Sequence, residues 1–289
     1  MAMEFLNSRF KAYRWILDRP GDAYRNLAWR AFSGKSDWPF VFIFSGPRNG
    51  TSLLQLLLGS HSKAVHFDGE AGLHYVTANL LDRQRFSGKF SAEAMDRVYD
   101  NSRDFASFVE RFYLEQGAVA GETFCVEKVA PTPFSFSNTK RVFPKARFIA
   151  MVRDGRDAFC SARENKSVIT STGDNLSAFA NSWRKWTERT IKVKDQPSVY
   201  LLRYEDLVSQ PQAEMQKVMD FIGFPFEPGQ IDESHRSNTS KTSRDGFHKL
   251  DKPITTSSIG RYKKLLSPAE VEAFKAIAGA QLEKAGYDV

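Results

Sequence analysis

The sequence has only two cysteines and no long hydrophobic segment, and each absence excludes a class of protein. Cys125 and Cys160 are too few for a disulfide framework or a four-ligand zinc site, so we expect two small buried residues. The longest strongly apolar run is 38–44, far shorter than the ~20 residues that a helix needs to cross a bilayer. Charges interrupt the segment MAMEFLNSRFKAYRW before a signal peptide's apolar region forms, which favours a cytoplasmic protein without a transmembrane segment.

Acidic residues are outnumbered by basic ones, 34 against 41, which gives the 289-residue chain a formal net charge of +7. The hydrophobic fraction of 42% is typical of a globular protein and argues against disorder. The positive charge favours an anionic ligand, an acidic partner, nucleic acid or a membrane surface, without choosing among them. No linker is visible, so we predict one domain over 1–289, with a basic helical extension at 1–36 and a core at 37–289.

Helices and strands alternate along the sequence, which predicts an α/β fold with a mostly parallel central sheet flanked by helices. Strands are predicted at 40–45, 124–127, 147–152 and 198–203, and the first of them is apolar throughout, as expected for a strand buried on both faces. Helices are predicted at 53–59, 71–118, 157–163, near 215–222 and after the N-cap sequence Ser267-Pro268-Ala269-Glu270. Residues 227–258 are polar and lack periodicity, which indicates a long functional loop.

The strongest local signal is the strand-loop-helix segment FVFIFSGPRNGTSLLQLLL. A loop between a buried strand and a helix presents backbone N–H groups and the positive helix end to an anion. The ATP-type loop G-x-x-x-x-G-K-[ST] is not matched, because Thr51 stands at the lysine position and the spacing from Gly46 to Gly50 is one residue short. Arg48 supplies a cation inside the loop instead. The candidate anion ligands here are Arg48, Asn49, Gly50, Thr51 and Ser52.

Two further motifs follow predicted strands. In ARFIAMVRDGRDAFCSAR, Arg153 stands at the strand end and Ser161 lies eight residues later in the next helix, so both could reach a second phosphate. In LLRYEDLVSQP, Tyr204 follows a strand and could stack on a base or hydrogen-bond to it. Taken alone, the first motif is more commonly a salt-bridged arginine at a strand end, and the second a core aromatic residue followed by the acids of a helix N-terminus.

Taken together and in this order, the motifs resemble those of the PAPS-dependent sulfotransferases, nearer the bacterial and tyrosylprotein-type branch than the cytosolic phenol-type enzymes. The resemblance covers about 40–289 and implies a P-loop-like three-layer fold. It implies that SGPRNGTSLL holds the 5′-phosphosulfate of the co-substrate PAPS and that Arg153 and Ser161 hold its 3′-phosphate. Tyr204 would lie near the adenine, and the C-terminal SSIGRYKKLLSPAEVEAF adds Arg261 as a further 3′-phosphate ligand.

The resemblance also implies the catalytic groups. Arg48 and Lys128 would neutralise the sulfuryl and leaving-phosphate oxygens, although Glu127-Lys128-Val129-Ala130-Pro131 replaces the usual Glu-Lys-Thr-Pro, and Asn49 the usual loop serine. Glu70, 22 residues after Arg48, is favoured as the general base, with His66 and His74 as alternatives. No carboxylate or histidine cluster has metal-ligand spacing, so we expect no metal.

Two other functions fit parts of the sequence. An ATP-dependent small-molecule kinase shares the fold class but would need the missing loop lysine and a strand-end aspartate. A basic nucleic-acid-binding module would bind with strong salt dependence and show no turnover. For a sulfotransferase, the acceptor is expected to be a hydroxyl on a carbohydrate, lipid, small molecule or peptide tyrosine. The positive net charge of the chain favours an acidic acceptor. The sequence leaves the oligomeric state open.

Overall fold

The computed structural model describes residues 16–67, 70–74, 80–82, 86–129, 136–164, 174–232 and 253–289. Residues 1–15 of the predicted basic extension and 233–252 of the predicted polar loop lie outside these ranges. Within the described part of the extension, a helix begins at Pro20, in agreement with the helical character that the sequence predicts.

The centre of the fold is an all-parallel sheet of five strands in the order β2-β3-β1-β4-β5. The strands are β1 Phe40–Ser45, β2 Ala64–His66, β3 Phe124–Val129, β4 Arg147–Val152 and β5 Val199–Arg203. This confirms the predicted α/β class. Because all strands are parallel, the loops that follow β1, β3, β4 and β5 emerge at one edge of the sheet, where α/β proteins bind ligands.

Eleven α-helices connect and cover the strands within the described ranges: α1 Pro20–Ala31, α2 Thr51–Gly59, α3 Ala92–Asp100, α4 Phe105–Leu114, α5 Phe136–Val142, α6 Gly155–Glu164, α7 Leu176–Lys192, α8 Tyr204–Ser209, α9 Pro211–Ile222, α10 Tyr262–Leu265 and α11 Pro268–Lys284. Short 3-10 turns occupy Pro228–Gln230 and Thr256–Ser258. None of the helices in this part of the chain is long and apolar enough to cross a membrane.

Both faces of the sheet are covered, which explains why β1 is buried along its whole length. Phe40 and Phe42 point into an aromatic cluster on one face, while Val41 and Ile43 join α2 and α9 on the other. A third apolar cluster, centred on Trp183 of α7, packs α6 and α11 together. Both cysteines are buried, as the sequence predicts.

The predicted helix over 71–118 is wrong in part. Only α3 and α4 are helical there among the described residues, and 70–74 and 86–90 form turns or irregular backbone. Gly72 adopts a left-handed conformation at φ 65°, which a helix cannot continue through. The helix instead starts after Ser91, whose side chain accepts the backbone N–H of Ala94.

The boundaries of β3 and β5 differ from the prediction, with β5 beginning at Val199 instead of 198, and one strand was not predicted. β3 runs two residues beyond 127, so Lys128 lies within the strand and not after it. The three-residue strand β2 was not predicted, because three residues at a sheet edge carry too little of an alternating pattern to be recognised. The C-terminal helix α11 begins as predicted, with Ser267 as N-cap and Glu270 completing a capping box.

Candidate active site

The loop between β1 and α2 has the geometry of an anion-binding turn. Gly50, the N-cap of α2, takes a left-handed conformation with φ 94°, and Arg48 takes φ 63°. A positive φ is uncommon for a residue with a side chain and costs free energy, so other contacts must hold it. The turn directs the loop amides and the positive end of a nine-residue helix to the same edge of the sheet.

The contacts that hold the loop come from β4 and α6. Arg48 donates through Nε to Ser161 Oγ of α6 at 3.2 Å. The Met151 carbonyl of β4 accepts the Ser45 hydroxyl at 2.8 Å and the Asn49 side-chain amide at 3.4 Å. The predicted first and second phosphate-binding motifs therefore touch directly.

Three arginines that are distant in sequence meet beside this loop. Arg153, at the end of β4, donates to the Arg48 carbonyl at 3.1 Å and to the Ser258 carbonyl at 3.0 Å. Arg261 forms an ion pair with Glu164 at the end of α6. Burial and the nearby charges of Arg153 and Arg261 lower the pKa of Arg48, so its cationic form is destabilised by its neighbours. Such a cluster suits an anion with more than one charge.

Two of these guanidinium groups keep a buried donor without a partner. The Nε atoms of Arg153 and Arg261 are buried and make no hydrogen bond to any described residue, and the same holds for the Nε atoms of Arg111, Arg184 and Arg203 outside this cluster. A buried unpaired N–H costs about 1–3 kcal/mol, so native structures satisfy nearly all of them. Phosphate oxygens are suited to these donors.

Tyr204 covers the phosphate loop. It is the first residue of α8, and its ring lies against Gly50, where a Cβ would stand 2.4 Å from Tyr204 Cδ2. The Arg153 guanidinium lies over the same ring, 4.2 Å from its centroid. The aromatic residue predicted to be near the base therefore joins two of the predicted phosphate ligands.

A second charged group lies at the start of α2. Lys128 of β3 donates through Nζ to Ser52 Oγ at 3.0 Å and lies 3.5 Å from Glu70 Oε1. The lysine side chain is 5% exposed and the glutamate side chain 39% exposed, so the carboxylate faces the outside of the site. The two catalytic candidates are in contact although they are distant in the sequence.

Glu127 is a buried carboxyl near Glu70 and Lys128, and it was not predicted as a site residue from the sequence. Tyr113 donates its hydroxyl to Glu127 Oε2 at 2.5 Å, and the backbone N–H of Leu73 also donates to this carboxyl. Burial raises the pKa of Glu127 to about 7. Because Leu73 lies three residues after Glu70, Glu127 fixes the segment that carries the predicted base.

The two alternative histidines are placed differently from Glu70. His74 is buried among Phe42, Phe105 and Phe143, and burial lowers its pKa to about 3, so it stays neutral. His66 ends β2, and its ring lies so close to Gly59 that a Cβ there would meet Nδ1 at 2.4 Å.

Glu205, which directly follows Tyr204, stabilises the backbone near the site and was also not predicted from the sequence. It accepts the backbone N–H of Asp154 at 3.0 Å and the hydroxyl of Tyr287 at 2.9 Å. It thereby ties the start of α8 to the residue after Arg153. The only sequence signal is an acid directly after the aromatic residue in RYEDL, a pattern that helix N-termini commonly show.

The all-parallel sheet and the cation-bearing loop at its carboxyl edge define a P-loop-like α/β protein with an anion-binding site. Residues 39–228 match the model of the Sulfotransferase family, and the chain belongs to that family. It is a sulfotransferase, as the sequence predicts. The match spans the phosphate loop, Lys128, Arg153, Ser161 and Tyr204 but ends before Arg261.

Curated relatives and solved structures agree with this assignment. The chain is 25% identical to protein-tyrosine sulfotransferase 1 of Danio rerio over 273 residues, which cover 89% of this chain and 74% of that protein. It is 25% identical to protein-tyrosine sulfotransferase A of Caenorhabditis elegans over 271 residues, 86% of this chain and 67% of that one. The sulfotransferase domain of the Synechococcus PCC 7002 olefin synthase shares the fold with TM-score 0.65 at 19% identity, covering 89% of this chain and 98% of that domain.

Proposed function

We propose that the protein transfers the sulfuryl group of PAPS to a hydroxyl of an acceptor and releases PAP and a sulfate ester. The observation that carries the proposal is the meeting of Arg48, Arg153 and Arg261 beside the phosphate loop, at the carboxyl edge of the sheet where α/β proteins bind ligands. A mouse sulfotransferase that shares the fold at TM-score 0.52 and 11% identity was crystallised with PAP, which supports the nucleotide assignment.

The donor's two anionic ends would occupy different parts of the site. Backbone groups of the loop with Asn49, Gly50, Thr51 and Ser52 would hold the 5′-phosphosulfate. Arg153, Ser161 and Arg261 would hold the 3′-phosphate, and Tyr204 would lie against the adenine.

Catalysis would depend on charge placement and one proton acceptor. The acceptor oxygen bonds to sulfur while the bond from sulfur to the bridging phosphate oxygen breaks, and that oxygen leaves with the electron pair on PAP. Arg48 and Lys128 stabilise the charge that develops on the transferring group and on the leaving oxygen. Glu70 takes the hydroxyl proton. Its contact with Lys128, 3.5 Å away, supports this role, because it keeps the base beside the group that holds the leaving oxygen.

The acceptor carries a hydroxyl, and a tyrosine in an acidic peptide is the first candidate to test. The relatives named above are protein-tyrosine sulfotransferases. The net charge of +7 would attract an acidic acceptor by long-range electrostatics. A carbohydrate, a phenol and a hydroxylated lipid are the other classes.

Transfer of label from radiolabelled PAPS to a panel of these four acceptor classes tests the proposal. We expect incorporation into at least one acceptor, and Arg48→Ala should lower it by about 10²–10³. Arg97→Ala is the matched control, because Arg97 pairs with Glu115 on the exposed surface of α3 and lies outside the site. Full activity of Arg48→Ala, or equal losses in both variants, would contradict the assignment of the loop.

A further inference from the structure

Asp157 binds the backbone on both sides of Arg261. Its Oδ2 accepts the N–H of Gly260 at 2.7 Å, and its Oδ1 accepts the N–H of Tyr262 at 2.9 Å. The residue lies in the first turn of α6 and is only 1% exposed. Each carboxylate oxygen therefore holds one amide, and Arg261 lies between the two amides.

The backbone at this point is shaped to receive a carboxylate. Gly260 is left-handed with φ 66°, and Arg261 follows in the right-handed helical region with φ −65° and ψ −23°. Consecutive residues of opposite hand direct their amides towards one point and form a concave anion site. The Asp157 carboxylate occupies that anion site. It therefore fixes the backbone conformation of the turn as well as the distance between the turn and α6.

The same segment is held on its other side by a nucleotide-site residue. Arg153 donates to the Ser258 carbonyl at 3.0 Å, and Arg156 lies over the Tyr262 ring, 4.1 Å from its centroid. The ion pair with Glu164 offsets the repulsion between Arg261 and Arg48 at the side chain, but a flexible turn would still let the backbone of Arg261 move away. The two short bonds from Asp157 oppose that movement.

We propose that Asp157 is a positioning residue of the nucleotide site, which holds the turn 260–262 so that Arg261 converges with Arg48 and Arg153 on the 3′-phosphate. The inference rests on the proposed function, because it takes Arg261 as a ligand of that phosphate. Both carboxylate oxygens of Asp157 are taken by the two backbone amides, so it acts on the nucleotide through Arg261. Its effect on binding is therefore confined to the group that Arg261 contacts.

Calorimetric titration of Asp157→Asn with PAP and with 5′-AMP tests the inference, since the two nucleotides differ only by the 3′-phosphate. Asparagine keeps the size of the side chain but replaces one acceptor oxygen with an NH2 group, which cannot accept a hydrogen bond from a backbone amide. We expect PAP to bind about tenfold more weakly, the loss of one charge-assisted bond, and 5′-AMP to change by less than about twofold. In an Arg261→Ala background, Asp157→Asn should weaken PAP binding by less than about twofold.

Asp104→Asn is the matched control. Asp104 also accepts one backbone N–H on each oxygen, from Gly34 and Ser107 at 2.9 Å each, but it caps α4 away from the nucleotide site. The Asp104→Asn variant should have a lower melting temperature but an unchanged affinity for PAP and for 5′-AMP. The inference is overturned if Asp157→Asn weakens the binding of PAP and 5′-AMP equally, if it leaves PAP binding unchanged, or if it has its full effect on PAP binding in the Arg261→Ala background. An unchanged PAP affinity of Arg261→Ala alone would instead contradict the proposed nucleotide site.

Discussion

The ring of Tyr204 lies directly on the backbone of Gly50, at a distance that leaves no room for a β-carbon. A Cβ at position 50 would stand 2.4 Å from Cδ2 and 3.0 Å from Cε2 of the ring. Glycine is needed at position 50 for two reasons: the ring leaves no space for a side chain, and φ is 94°, a conformation that residues with a side chain rarely adopt. The contact joins the loop proposed to hold the phosphosulfate to the residue proposed to lie against the adenine.

Gly50→Ala should therefore weaken PAP binding by at least about tenfold and lower the stability of the fold. Gly117→Ala is the control, because Gly117 has the same left-handed backbone, φ 92°, with no atom within 4 Å of a Cβ. That variant should lose only the backbone strain, roughly 1–2 kcal/mol, and bind PAP normally. Equal stability losses with unchanged PAP affinity in both variants would show that the contact between Tyr204 and Gly50 has no role in binding.

Lys128→Ala should lower kcat by about 10²–10³ with a smaller change in PAP affinity, because the charge it supplies matters most as the leaving oxygen becomes negative. Lys140→Ala provides a comparison, because Lys140 of α5 also donates to a serine hydroxyl, that of Ser198, at 2.5 Å. Steady-state kinetics of both variants check the prediction. A kcat for Lys128→Ala within a few-fold of wild type would exclude it from catalysis.

Glu70→Gln should lower kcat by about 10²–10⁴ and leave PAP affinity nearly unchanged, as expected for removal of a positioned general base. His66→Ala and His74→Leu should each lose less than tenfold. Leucine is chosen for His74 because that ring is packed among aromatic side chains. An inactive His66→Ala alongside an active Glu70→Gln would reverse the assignment.

Glu127 should make stability depend on pH. Its pKa is about 7 in the folded protein against an ordinary value of 4.5, so between these pH values the folded state holds a proton that the unfolded chain has released. The free energy of unfolding should therefore fall as pH rises from 4.5 to 7 and level off above, by on the order of 3 kcal/mol from this group.

Urea unfolding of wild type and Glu127→Gln at pH 5, 6, 7 and 8 measures this contribution as the difference between the two proteins. The glutamine variant cannot titrate at this position, so the wild type should lose stability relative to it as pH rises. A constant difference between the two proteins over that range would show that the buried carboxyl is charged throughout.

The sequence predicts the sheet and the loop well because both leave strong local patterns. Buried parallel strands are continuously apolar, so β1 and β4 have the predicted boundaries, 40–45 and 147–152. The helical prediction over 71–118 fails where Gly72 changes the direction of the backbone. Spacing of apolar residues alone does not reveal such a break.

The supporting carboxylates could not be found from local patterns. Asp157 binds amides 103 and 105 positions away, and Glu205 binds one 51 positions away. Asp157 lies in the first turn of a helix, where acids are common for reasons unrelated to any site. Only the fold shows which backbone amides these acids meet.

Recognition of a 3′-phosphate is the central claim, and calorimetric titration of the wild type and Arg153→Ala with PAP and 5′-AMP tests it most directly. Arg153 lies between the Arg48 carbonyl, the Ser258 carbonyl and the Tyr204 ring, so its removal takes away a central phosphate donor. We predict that the wild type binds PAP about ten- to a hundredfold more tightly than 5′-AMP and that Arg153→Ala loses most of this preference. Equal binding of PAP and 5′-AMP by the wild type would contradict the account.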